Sequence, residues 1–267
     1  MRDVDYFLGD KVIINEKYVN KTLKTIASDT EDDGTIGYRM NEHGYRSESF
    51  KDKHSYNVLT LGCSWTMGVG VEYEHTWPYL MKTRFQFVKE QEVGLFNYGM
   101  YGASPSFIAK NLYKIVTTEI TPDAVLIMWP GFSRRDYLKE DGSFRKIGGF
   151  RKAHDKDPVW RNDDEDLLFL QLRNDNQDLM EFWEAYKFVE LIAAHWDIKI
   201  YHTIAGYYYE VFKSLEPNLK QAINYDTFFD PSSCYKNDFK GRDGEHPGKD
   251  WHLEFTNNFF KFIKNRI

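Results

Sequence analysis

The sequence predicts an α/β fold, a three-layer α/β/α sandwich around a parallel, flavodoxin-like sheet. Apolar runs with the length of buried strands lie at 58–61, 93–97, 123–129 and 199–204, and amphipathic helical patterns follow them. The run at 123–129 is nearly continuous in apolar residues, as expected for a strand covered on both faces. Strands that alternate with helices in this way favour parallel pairing through right-handed connections.

The helices are predicted from apolar spacing and from signals at their first turns. Thr76 is placed to cap a helix that carries Pro78 in its first turn, and the Ser104-Pro105 pair begins the next helix. Two further helices are predicted over about 180–196 and 251–263, each with apolar residues along one face. Each helix therefore has a face that can cover the sheet.

The chain is predicted to form a single domain over 1–267, because 267 residues with 42% hydrophobic content can bury one large core. A polar extension occupies about 1–50, and an insertion over about 132–180 interrupts the alternation of strands and helices. The acidic run at 163–166 within this insertion is expected to face solvent, since like charges repel and prefer water.

Composition excludes several classes of function. The net charge of -6 provides no basic face for nucleic acid. Cys63 and Cys234 are too few for a disulfide framework or a metal site. No signal-peptide pattern opens the chain, and no run approaches the ~18 apolar residues of a membrane span. We therefore expect a soluble, cytoplasmic protein without metal, cofactor, nucleic-acid or membrane partner; its oligomeric state is left open.

The stretch from Gly62 to Gly68 follows the first strand directly and places Ser64 at its C-terminal edge, where open α/β sheets bind their ligands. A serine nucleophile needs a base, and that base needs a carboxylate that fixes its tautomer. Asp243 and His246 lie three residues apart near the other end of the chain. Pro247 restricts His246 to an extended backbone. Ser64, His246 and Asp243 are thus the predicted catalytic residues.

Three motifs in the same order resemble the SGNH, or GDSL, serine hydrolases. They are the turn that contains Ser64, the stretch Asn97-x-Gly99-x-x-Gly102 after the second strand, and the terminal Asp243-x-x-His246-Pro247. The resemblance runs from about residue 41 to the C-terminus. It implies an esterase or lipase-like acylhydrolase that acts on a small-molecule or carbohydrate ester through an acyl-enzyme intermediate.

The segment Asn41–Ser47 also resembles one that often precedes the nucleophile strand in bacterial and phage members of this family. Read from its residues alone, it is a turn whose Tyr45 and Arg46 pack on the sheet edge. The sequence does not assign it a function.

Acyl transfer also needs donors for the developing oxyanion, and the backbone N–H groups of Ser64 and Gly102 are the candidates. The resemblance implies a further Asn donor after the third strand, but this chain has none there. Trp129, Ser133 or Arg134 could donate instead, and Trp129 and Arg134 are the candidate substrate-site residues.

Other reactive side chains are expected to be structural. Cys63 stands where the family usually has Asp, and we predict a small buried hydrophobe there rather than a second nucleophile. His195 and His202 are expected in core or partly buried positions. His252 is expected to cap or pack on the last helix.

Three other functions stay open at this stage. A flavodoxin-like nucleotide binder would fit the turn after the first strand, but it leaves Asp243 and His246 unexplained. A hydrolase fold that has become a binding or structural module would fit the missing Asn. An O-acyltransferase would use the same catalytic residues with an acceptor other than water.

Overall fold

The computed structural model of this protein describes residues 22–25, 36–52, 54–138, 144–147, 175–206, 222–234 and 240–267. In chain order its strands are β1 (Thr22–Thr25), β2 (Ile36–Arg39), β3 (Tyr56–Gly62), β4 (Val93–Gly99), β5 (Ala124–Trp129), β6 (Arg135–Leu138), β7 (Phe144–Ile147) and β8 (Lys199–Ile204). Its helices are α1 (Ser64–Met67), α2 (Trp77–Lys89), α3 (Pro105–Thr118), α4 (Asp175–His195) and α5 (Lys249–Ile263). Two short 3-10 helices cover Tyr73–His75 and Ser232–Cys234.

The central sheet consists of parallel strands in the order β4-β3-β5-β8. Every residue of β3, β4 and β5 is buried, which explains why their sequences are mostly apolar and do not alternate with exposed polar residues. The four predicted strands are therefore confirmed. The chain leaves β3 toward β4 on one side and then crosses to β5 on the other, so β3 and β5 flank the point at which the winding direction reverses.

Helices cover both faces of this sheet. On one face α2 packs against α5, with Trp77 in edge contact with Phe255 at a ring distance of 5.6 Å. On the other face α3 packs against α4, where the rings of Tyr113 and Phe188 are 6.0 Å apart. The predicted three-layer α/β/α sandwich is confirmed.

Thr76 and Ser104 both stand at the helix starts predicted for them, but only Ser104 makes the expected capping hydrogen bond. Ser104 accepts a hydrogen bond from the N–H of Phe107, as an N-cap should. Thr76 stands at the N-cap of α2, but its hydroxyl donates to the carbonyl of Tyr73 instead. The first N–H group of α2 is satisfied from another helix, as described below.

The extension and the insertion each contain an antiparallel strand pair, β1 with β2 and β6 with β7. The acidic run at 163–166 lies outside the described residues. The division into one domain stays a prediction. No helix among the described residues is both long enough and apolar enough to cross a membrane.

Candidate active site

Ser64 is the first residue of α1, a single helical turn that follows β3 after Cys63. A Cβ atom on Gly62 would lie 2.0 Å from Thr66 Oγ1, so glycine is needed for the helix to turn back on the strand. Gly68 ends the turn in the left-handed conformation at φ 77°. Cys63 is buried and its carbonyl accepts the N–H of Thr66 at 3.0 Å, which confirms its structural role.

Asp243 and His246 lie on the loop that leads into α5. One oxygen of Asp243 accepts the backbone N–H groups of Glu245 and His246 at 3.2 and 3.0 Å. The other lies 2.5 Å from His246 Nδ1. Burial raises the pKa of the Asp243 carboxyl, but the bonds from His246 and from the backbone N–H groups lower it more, and the net pKa is below its usual value. Asp243 is therefore a carboxylate at neutral pH.

The sequence-predicted residues Ser64, His246 and Asp243 meet in one hydrogen-bonded chain. His246 Nε2 is 2.9 Å from Ser64 Oγ, although the two residues are 182 positions apart. Because the Asp243 carboxylate can only accept, Nδ1 carries the hydrogen and Nε2 is left with its lone pair toward Ser64. Ser64 is 3% exposed. The imidazole is thus in the tautomer that can take the serine proton.

The site has two halves: the serine turn, which carries Ser64, and the loop that carries Asp243 and His246, here called the acid–base loop. The loop after α1 joins the two. Its Gly68 N–H donates to the Ser64 carbonyl at 2.9 Å. Two residues further on, the carbonyl of Gly70 accepts the N–H of Arg242 at 2.9 Å. A Cβ atom on Gly70 would lie 2.8 Å from Asp243 Oδ1, and Gly70 has φ 87°. The two halves of the site are therefore in direct contact through this loop.

The two predicted oxyanion donors lie on neighbouring strand-end turns. Ser64 carries the first N–H of α1, where no carbonyl of the same helix can accept it. Gly102 lies in the turn after β4 with φ 70°. Among the described residues neither N–H donates to another group of the chain. Their role as an oxyanion hole stays a prediction.

Asn97 has a structural role that the sequence motif did not reveal. Its side chain is fully buried at the end of β4 and makes four hydrogen bonds. Oδ1 accepts from the Thr60 hydroxyl and from the Gly99 N–H, each at 3.0 Å. Nδ2 donates to the carbonyls of Arg46 and Thr66 at 3.1 and 3.2 Å. Asn97 therefore fixes α1 against two strands of the sheet.

Trp129 was predicted at the substrate site, and this prediction is wrong. Its side chain is fully buried, and Nε1–H donates to His202 Nδ1 at 3.2 Å, so the indole N–H is already used inside the core. His202 Nε2 contacts Glu190 at 2.7 Å. Burial lowers the pKa of His202, while the contact with Glu190 raises it, and the net shift is downward. His202 is thus a core histidine, as predicted.

Arg134 lies in a tight turn after β5, where its N–H donates to the carbonyl of Gly131 at 3.2 Å. Its side chain is buried. Ser133, in the same turn, is half-buried. A role for Arg134 or Ser133 at the substrate site stays a prediction.

The other two histidines singled out from the sequence, His252 and His195, lie in the two helical layers. His252 is fully buried on α5, and its Nδ1 accepts the first N–H of α2, from Trp77, at 3.1 Å. Burial lowers the pKa of His252 to about 3, so it is neutral. This confirms its capping role. His195 is exposed at the end of α4 against the ring of Trp196, so its predicted burial is wrong. In the described ranges no three His, Cys, Asp or Glu side chains form a metal-binding group.

Two aromatic residues next to Ser64 and His246 were not singled out from the sequence. Tyr101 is 48% exposed, and its ring centre lies 6.4 Å from that of His246. Trp65 follows Ser64 in the chain and packs so closely on Gly206 that a Cβ atom there would lie 2.4 Å from the indole ring. Their positions on strand-end turns depend on tertiary contacts that no local pattern encodes.

No protein-family model and no curated protein matches the chain in sequence. Solved structures do match it. The structure of TesA superposes with a TM-score of 0.50 over 79% of this chain and 99% of that chain, at 13% identity. The chain therefore has the fold of TesA. The lipase Lip_vut3 from a goat rumen metagenome matches with a TM-score of 0.49 at 14% identity, over 78% of this chain and 97% of its own. A member of the lipolytic G-D-S-L family from Veillonella parvula matches with 0.46 at 14% identity, over 80% and 100%. At 13% identity the likeness to TesA is one of fold alone, and at that level it agrees with the fold that the motif resemblance implies.

Proposed function

We propose that this protein is a serine-dependent ester hydrolase in which Ser64 is the nucleophile, His246 the general base and Asp243 the group that orients it. The observation that carries the proposal is the 2.9 Å contact between Ser64 Oγ and His246 Nε2. It lies beside the reversal point of a doubly wound sheet, where such folds bind their ligands. The carboxylate on Nδ1 supports the same assignment of roles.

The proposed reaction has two halves. His246 Nε2 takes the proton of Ser64 as Oγ attacks the ester carbonyl carbon, and the resulting imidazolium is stabilised by Asp243. The carbon–oxygen bond to the alcohol then breaks, and His246 gives its proton to the leaving oxygen. Water next loses a proton to His246 and attacks the acyl-enzyme, and the acid leaves as Ser64 regains its proton. Atoms and protons balance over the cycle.

We assign the stabilisation of the negative charge on the substrate oxygen to the backbone N–H groups of Ser64 and Gly102. Each such donor contributes about 3–4 kcal/mol of transition-state stabilisation when it is held in place beforehand. The conformations that support this assignment are the helix start at Ser64 and the left-handed backbone at Gly102. Both depend on tight turns at strand ends.

We further propose a small-molecule or carbohydrate ester as the substrate, because the exposed ring of Tyr101 beside His246 offers a flat apolar face for a sugar or acyl chain. A panel of acetylated sugars and short alkyl esters tests this assignment. If Tyr101 contacts the substrate, Tyr101→Ala should raise KM for the better substrates more than it lowers kcat.

A binding or structural module on the same fold is the second candidate. The observation that favours it is the absence of the family's Asn after β5, where this chain continues with Pro130, Gly131 and Phe132. In that case the three side chains would keep their geometry without turnover.

Covalent labelling separates the two candidates. Purified protein is treated with a fluorophosphonate, and its intact mass is measured together with ester hydrolysis. We expect one adduct on the wild type and on Cys63→Ala, and none on Ser64→Ala. Folded wild type that neither labels nor hydrolyses any ester would refute the hydrolase and support the binding module. Acyl transfer to added alcohol or sugar in preference to water would identify a transferase.

A further inference from the structure

The segment before the nucleophile strand has a fixed turn geometry. Asn41 Oδ1 accepts the N–H groups of His43 and Tyr45, both at 3.0 Å, and Gly44 has φ 77°. The turn directs Tyr45 into the core, where its ring centre lies 4.6 Å from that of Tyr98. It also directs the next residue, Arg46, into the interior.

Arg46 is 1% exposed, and its guanidinium binds backbone carbonyls. Nη1 donates to the carbonyls of Met67 and Gly68 at 3.3 and 2.5 Å, and Nη2 donates to that of Val71 at 2.8 Å. The ring of Tyr38 lies 4.3 Å from the guanidinium carbon. Within the described ranges no carboxylate is within ion-pair distance of this group. A charge buried in this way is rare in proteins, and here its partners all belong to one loop.

Arg46 is still a cation at neutral pH. Burial lowers its pKa to about 10, while the fields of Tyr38, Tyr73, Glu74 and Glu72 raise it. Its three carbonyl acceptors therefore face a permanent positive charge, which makes these hydrogen bonds stronger than neutral ones.

The three acceptors span the loop that joins the two halves of the site. Gly68 donates to the carbonyl of Ser64, and Gly70 accepts from the acid–base loop and abuts Asp243. The Gly70 N–H also donates to the hydroxyl of Tyr38 at 2.9 Å. With two glycines at positive φ, this loop has little conformational preference of its own, so its shape depends on those external bonds.

We infer that Arg46 is a positioning residue of the site, which holds residues 67–71 in one conformation and so keeps Ser64 in register with His246 and Asp243. The inference rests on the proposed function for its kinetic consequence. The planar guanidinium of arginine can donate to carbonyls at both ends of the loop at the same time. A lysine ammonium keeps the charge but concentrates it at one atom, so it cannot donate to all three carbonyls in their present positions.

The kinetic test compares Arg46→Lys with Arg84→Lys, in which an exposed arginine on α2 that bonds Asn257 is changed in the same way. Both are assayed well below the temperature at which circular dichroism shows unfolding. We expect kcat of Arg46→Lys to fall by about tenfold or more with KM within about twofold, and fluorophosphonate labelling of Ser64 to slow in parallel. The control should match the wild type. Wild-type kcat in folded Arg46→Lys would overturn the inference and leave Arg46 a stability residue only.

A second measurement does not need turnover. The proton between His246 Nδ1 and Asp243 should give a low-field NMR resonance that Asp243→Asn abolishes. We expect Arg46→Lys to shift or broaden it, and an unchanged resonance would contradict the inference. If the wild type neither hydrolyses nor labels, the proposed function fails while this arm still tests Arg46. Should Arg46→Lys not fold, Tyr38→Phe loosens the same loop at Gly70, with the same outcomes for and against.

Discussion

Gly70→Ala perturbs the contact between the two halves of the site by a single methyl group. The new Cβ atom would lie 2.8 Å from Asp243 Oδ1, whereas an ordinary carbon–oxygen contact is at least about 3.3 Å. The carboxylate or the loop must therefore move by about 0.5 Å. A misplacement of about 1 Å costs a catalytic group about 100-fold in rate, so half of that predicts a loss of about tenfold in kcat.

The same substitution also strains the backbone, because Gly70 has φ 87° and a side chain there costs about 1–2 kcal/mol. Urea unfolding should show this as a lower free energy of unfolding. Gly37→Ala is the matched control: among the described residues its Cβ atom would meet Thr22 Cγ2 alone, at 3.9 Å, and Gly37 has no positive φ. We expect the control to change stability by less than about 0.5 kcal/mol and to leave kcat unchanged.

Ester hydrolysis and urea unfolding are measured on both glycine variants at one pH. We expect Gly70→Ala to lose both stability and kcat, and the loss of kcat to persist at temperatures where the variant is fully folded. A Gly70→Ala protein with reduced stability but wild-type kcat would refute this expectation, because Asp243 would then tolerate the displacement.

Four further predictions concern the same site. Ser64→Ala and His246→Ala should each remove most turnover, and their double variant should be scarcely worse, because residues that act as a unit are not additive; additive losses would show that they work separately. Turnover should be low in acid, where a protonated imidazole cannot accept the serine proton, and a flat pH–rate profile would count against His246. The pKa of Asp243 is lowered in the folded protein, so its carboxylate stabilises the fold above about pH 4, and this contribution disappears as the pH falls through the lowered value. An acid titration monitored by circular dichroism should therefore show a steeper loss of folded protein for the wild type than for Asp243→Asn. Asn97→Ala should lower the free energy of unfolding by about 3 kcal/mol or more, because it leaves several buried partners unsatisfied, and urea titration measures this loss.

The sequence predicts two kinds of feature in this protein: elements set by short-range sequence patterns, and side chains whose chemical roles require each other. Buried strands are mostly apolar. The serine turn is marked by Gly62 and Gly68, because only glycine fits those two backbone positions. The pairing of Ser64 with His246 was predicted because a serine nucleophile needs a base and the chain offers Asp243 beside that histidine. This prediction rested on the chemical requirement of a serine nucleophile and not on any local structural pattern.

The errors come from side chains whose environment is set by distant elements. Trp129 ends an apolar strand, and nothing in that strand shows that its N–H points at His202 on the neighbouring one. The hydrogen bonds of Arg46 are equally hidden: the sequence predicts that this residue packs on the sheet edge, but its partners are carbonyls more than twenty positions away. His195 follows a helical pattern, but it lies at the helix end, where the neighbouring layer no longer covers it.

The bond between the Trp77 N–H and His252 sets the axial alignment of α5 on α2. The acid–base loop leads directly into α5, so any displacement of this helix along its axis is passed to His246. A slip by one residue would move the loop by about 1.5 Å, which exceeds the error that the reacting groups tolerate. Because its low pKa keeps His252 neutral, it remains an acceptor far into the acid range. The separation of Ser64 and His246 thus depends on the packing of α5 on α2, and the Trp77–His252 bond that aligns these helices persists while the solvent changes from neutral to mildly acidic.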